Sequence, residues 1–159
     1  MHQLGPCTYA TAALAAATAL VPAYAAENEH SETPHHLSAL FAATDNTEDT
    51  AFTLGVDYEY RISQFLGIGA VAEHAFADVD ATTVLVVADL HFGEHLAIQT
   101  GPGLEWIDEE SGSEREFVYR VGALYEVEMG SFTFSPQLHV DFTANDDSVV
   151  AGVAFGFAF

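Results

Sequence analysis

The 159 residues suffice for one domain, and 50% of them are hydrophobic, so a sizeable apolar surface exists somewhere. Lys and Arg total 3 against 24 Asp and Glu, a formal charge of −21, which excludes nucleic acid as a partner because phosphate binding needs a basic surface. The single cysteine, Cys7, excludes an intramolecular disulfide.

Residues 9–26 form an Ala-rich run without charge, and Pro22-Ala23-Tyr24-Ala25 before Ala26-Glu27 carries the small-x-small pattern of signal-peptide cleavage. Residues 1–25 are therefore read as a signal peptide cut after Ala25, although the n-region holds His2 and neither Lys nor Arg. The run is short for a spanning helix, which needs about 20 residues. Residues 26–35 read as a flexible periplasmic leader. His30, Glu32, His35 and His36 have zinc-ligand chemistry, but the leader lacks an ordering scaffold. Neither a metal site nor a cofactor is expected.

From His36 onward apolar and non-apolar residues alternate, the period-two signal of strands. Phe52, Leu54, Val56, Tyr58 and Tyr60 share one face of their segment, with Thr53, Gly55, Asp57 and Glu59 on the other. Polar, turn-rich breaks fall at 45–49, 62–64, 77–81, 93–94, 108–114, 128–130 and 144–147. They leave eight strands at 36–44, 50–61, 65–76, 82–92, 95–107, 115–127, 131–143 and 148–159, each long enough to cross a bilayer when tilted. The odd-numbered breaks are acidic and longer, and the even-numbered ones are tight. Outer-membrane barrels show that asymmetry between outer loops and periplasmic turns. The prediction is an all-β, eight-stranded, antiparallel up-and-down barrel over residues 36–159.

Alternation does not distinguish a membrane barrel from a soluble lipocalin-like one, but ring volume and ring position do. An eight-stranded interior holds few rings. Phe52, Phe76, Trp106, Phe117 and Phe142 fall beside the acidic loops, whereas Tyr58, Tyr60, Phe92, Tyr125, Phe132 and Phe157 fall beside the tight turns. Aliphatic and small residues lie between them. Two aromatic girdles around an aliphatic band match a lipid-facing surface.

Phe155, Phe157 and Phe159, following Val153 at alternate positions, resemble the C-terminal signature by which the barrel-assembly machinery recognises outer-membrane proteins. Residues 36–159 are similar in layout to the small outer-membrane barrels of the outer membrane protein A and X type. That resemblance implies localisation in the cell outer membrane, contact with lipid and lipopolysaccharide, and a monomer. The outer loops are very short, so roles in adhesion that use long protruding loops are not expected.

The face opposite the rings becomes the lumen. It holds Asp57, Glu59, Glu73, Asp89, Glu105, Glu116, Glu126 and Asp141 with Arg61, Arg120, His91, His95, Gln99 and His139. Buried charges must be paired or hydrated, so Arg120 is expected to organise a network with Glu105, Glu73 or Asp141. The expected role is structural, with a plugged lumen and an acidic rim able to bridge lipopolysaccharide phosphates through divalent cations. Enzyme activity is not expected, because no serine lies beside lipid-facing His74. The competing readings are a lipid A-modifying enzyme and a soluble periplasmic binding barrel.

Overall fold

The computed structural model describes residues 33–46, 50–76, 80–109 and 112–159. The expected signal peptide, its cut after Ala25 and residues 26–32 of the leader lie outside the described residues, as do Glu48, Asp49, Asp78 and Glu110 of the acidic breaks. The strands are β1 His35–Asp45, β2 Thr50–Arg61, β3 Leu66–Phe76, β4 Asp80–Phe92, β5 Leu96–Glu109, β6 Gly112–Tyr125, β7 Val127–Met129, β8 Phe132–Phe142 and β9 Ser148–Ala158.

Neighbours in sequence pair antiparallel around one sheet, and β1 pairs with β9 from His36↔Ala158 to Asp45↔Val149, which closes it. β7 is the continuation of β6, because both face β8 in one register, from Tyr119↔Phe142 to Met129↔Phe132. The nine elements are thus eight barrel strands. The interruption has a chemical cause: Pro136 stands opposite Tyr125 in that register and has no N–H for the ladder. On the other side the Glu126 N–H donates to the His95 carbonyl at 2.6 Å, continuing the β5–β6 register past Leu96↔Tyr125. A second gap falls where Val86 and Val87 face Pro102 and Gly101.

Several boundaries move from the sequence reading, and β4 begins at Asp80 where residue 82 was expected. β5 and β6 pair out to Glu109↔Gly112, so Asp108, Glu109 and Glu114 of the expected fifth break lie on the strands. His35 belongs to the barrel and not to the leader, since its backbone exchanges hydrogen bonds with Phe159 at 2.9 and 3.2 Å. At two of the tight turns Gly93 and Gly130 adopt φ of 75° and 71°, a left-handed conformation that side chains with a Cβ resist.

Alternation decides what faces where. Val86 is 67% exposed and Val56, Ile68 and Leu138 also point outward, whereas Arg120 is 0% exposed. The apolar face is therefore the outside, which rules out the lipocalin-like arrangement. Part of the lumen is itself apolar: Leu40, Ala42, Val150 and Ala154 pack together, as do Val71, Leu85, Val87 and Val118. The sequence points to a lumen that is mainly polar and lined by small residues, with Val150 on that side, and the remaining branched residues of these clusters go beyond it. Small strand residues leave room, and these branched side chains fill it.

Candidate functional site

Arg120 projects inward from β6 and its guanidinium is forked between two carboxylates. Nη1 and Nη2 donate to Glu73 Oε1 and Oε2 at 2.5 and 2.7 Å. Nε and Nη2 donate to Asp141 Oδ1 and Oδ2 at 2.7 and 2.6 Å. A planar cation suits two such bidentate contacts. Asp141 lies directly opposite on β8, while Glu73 comes from β3 across the lumen, so the cluster is a crossbar. Gly55, opposite Glu73, makes room for it; a Cβ there would stand 2.7 Å from Glu73 Cγ. Glu105 is not part of the crossbar and accepts from the Thr83 hydroxyl at 3.0 Å instead. Glu116 is half-buried at the loop mouth, where it accepts from the Asn145 side-chain amide.

A second network occupies the half of the lumen nearer the tight turns. His91 Nε2 lies 2.7 Å from Glu59 Oε1 and its Nδ1 lies 3.4 Å from Glu126 Oε2. Arg61 Nη2 reaches Glu59 and Glu126 only at 3.4 Å. The Gln99 amide donates to Asp57 Oδ2 and Asp89 Oδ1 at 2.9 and 3.0 Å. Asp57 Oδ1 and Asp89 Oδ2 are buried and have no hydrogen-bond partner. His139 bonds Gln137 Oε1 through Nε2 at 2.6 Å. His36, which is not among the lumen residues expected from the sequence, faces this network and bonds Thr133 Oγ1 at 2.7 Å. The signal existed: His36 shares the alternation of Ser38, Leu40 and Ala42, opposite to Leu37 and Phe41.

Spaces open along the interior among the described residues. A vestibule of about 290 Å³ at the loop mouth is lined by Glu105, Glu114, Glu116, Asn145 and Asp146. At the turn end a cavity of about 130 Å³ is bordered by His36, Arg61, Glu126, Glu128 and Thr133. Between them a small cavity of about 20 Å³ adjoins Asp57, Glu59, Asp89, His91 and Glu126.

The N-terminal β-barrel domain of Pseudomonas aeruginosa OprF superposes with a TM-score of 0.61 at 16% identity, over 78% of this chain and 97% of that one. A de novo designed transmembrane β-barrel gives 0.57 at 15% identity, over 80% and 99%. The attachment invasion locus protein Ail of Yersinia pestis gives 0.54 at 14% identity, over 81% and 100%. The chain has the fold of the small eight-stranded outer-membrane barrels. No family model and no curated protein matches its sequence.

For a barrel of this fold the exterior fits a bilayer, since its strands pair around a closed sheet with only two local gaps in the ladder and the outward band is apolar. At the loop end of the exterior Phe52 stacks on Phe76, and Phe117 and Phe142 are exposed, while Trp106 is half-buried. At the turn end Tyr58 and Tyr60 meet His35, Phe92 meets Phe65, Tyr125 meets His95 and Phe132 meets Phe157. Phe41, overlooked in the sequence, puts a ring near the middle of the aliphatic band and contacts Phe155 edge-on. Phe159 stacks on His35 beside Phe157. His95 is exposed at a tight turn and not in the lumen; its Nδ1 bonds the Glu126 carbonyl at 2.9 Å. On the outer face His74 Nδ1 meets Thr82 Oγ1 at 2.9 Å, so its hydroxyl partner is a threonine on the neighbouring strand and not a serine.

Proposed function

We propose that the chain is a structural outer-membrane barrel that stiffens the envelope and whose lumen is closed to solutes. The observation that carries this reading is the Arg120 crossbar, 0% exposed and tied by four short bonds to Glu73 and Asp141 across the interior. An aqueous path would have to break charge-assisted bonds and expose the apolar clusters beside them. Recordings of the folded protein in planar bilayers should show no unitary steps. Stable conductance in the wild type would overturn the closed lumen. The β9 rings Phe155, Phe157 and Phe159 serve in this reading as the mark read by the barrel-assembly machinery.

The His74–Thr82 pair favours a second reading, acyl chemistry on lipid A in the outer leaflet. Lipid A mass spectra from cells expressing the wild type and His74→Ala should be identical if the barrel is structural. A difference in acylation between them would replace the first reading with the second.

A further inference from the structure

We infer that the turn-end half of the lumen binds one divalent transition-metal cation of the Zn²⁺ class, held by the His36 ring and the carboxylates of Glu59 and Glu126. One ligand atom from each of these three residues lies within 4.8 Å of the others, although the residues come from β1, β2 and the β6–β7 break. Centring a cation among them asks each to close by less than about 1 Å to reach the 2.0–2.2 Å of zinc–nitrogen and zinc–oxygen bonds. An imidazole in the set favours zinc-like ions over Ca²⁺ or Mg²⁺, which prefer oxygen alone.

The surroundings point the same way. Four carboxylates, Asp57, Glu59, Asp89 and Glu126, border the small cavity; among the described residues the Arg61 guanidinium reaches Glu59 and Glu126 only at 3.4 Å, and His91 meets the same two at 2.7 and 3.4 Å. The 3.4 Å contacts are long for charge-assisted bonds and leave Glu59 Oε2 and Glu126 Oε2 with acceptor capacity, Glu59 Oε1 being taken by His91. Asp89 is 4% exposed, lines that cavity, and keeps Oδ2 unpartnered, as Asp57 keeps Oδ1. The cavity of about 20 Å³ has room for one water-sized species.

Two glycines shape the pocket. A Cβ at Gly67 would stand 1.9 Å from Glu59 Oε1, and one at Gly156 would stand 2.1 Å from His36 Nε2. The Thr133 hydroxyl holds the His36 ring, the outer-shell support that metal-binding histidines use. The turn-end space, bordered by exposed Thr33, Glu128 and Gly130, supplies an entry path.

The test is calorimetric titration of Zn²⁺ into EDTA-stripped protein folded in detergent micelles, with Co²⁺ absorption as a second readout. One equivalent should bind, and Co²⁺ should give visible bands. His36→Gln and, separately, Glu126→Gln should weaken binding by about 10–100-fold or more. Folding of each variant is checked by heat-modifiable migration in SDS gels. Should Glu126→Gln fail to fold, His36→Gln, which removes one hydrogen bond, still decides. A His30→Gln/His35→Gln variant should keep the site. No binding by the wild type would overturn the inference, as would an equivalent that survives His36→Gln and disappears with His30 and His35.

Discussion

At the scale of single residues the molecule turns on Arg120. Its two carboxylate partners are buried with it, so removing the cation strands them. Breaking such a buried cluster from one side costs about 3–5 kcal/mol. Arg120→Ala should lower the unfolding free energy in urea by that amount. Arg120→Met combined with Glu73→Gln and Asp141→Asn should recover most of the loss, because it removes the charges together. Equal loss in both variants would mean that packing, and not charge compensation, is what Arg120 supplies.

At the scale of the strand, orientation toward lipid makes a graded prediction. An Arg on the lipid face costs about 2–4 kcal/mol at the bilayer midplane and about 0–1 near an interface. Val86→Arg, within the aliphatic band, should therefore destabilise far more than Phe76→Arg in the loop-end girdle, measured by urea unfolding in liposomes. Equal costs would show that the band is not centred in a bilayer. The strands themselves were legible because small and charged residues alternate with rings and aliphatics, a pattern that local sequence carries entire. The ladder gap at Glu126 was not legible, because Pro136 acts on a strand it meets only through register. The same reason hid the meeting of His36 with Glu126, which are brought together around β9 and β8 and not by nearness in sequence. Glu105 shows the converse: parity put it in the lumen, but parity says nothing of which partner lies at its height, and Thr83 is directly opposite.

At the scale of the whole molecule, the two mouths differ in chemistry. Asp45, Asp80, Asp108, Glu114, Asp146 and Asp147 gather at the loop end, and the formal charge of −21 has few cations to offset it. We propose that Ca²⁺ or Mg²⁺ bridges this rim to lipopolysaccharide phosphates. Mg²⁺ should then raise the thermal midpoint in bilayers containing lipopolysaccharide and leave it unchanged in phosphatidylcholine, and Asp146→Asn/Asp147→Asn should reduce the rise. A midpoint that ignores Mg²⁺ in both bilayers would remove the bridge. The pairing of β1 with β9 has its own consequence. The seam of this cylinder joins its earliest strand to its latest, so no shorter length of chain can shut it. Until β9 arrives, two raw margins of unsatisfied amides stand open, and hydrocarbon offers them nothing. Insertion must therefore wait for the complete set of strands, or proceed under the shelter of a helper that lends the missing margin.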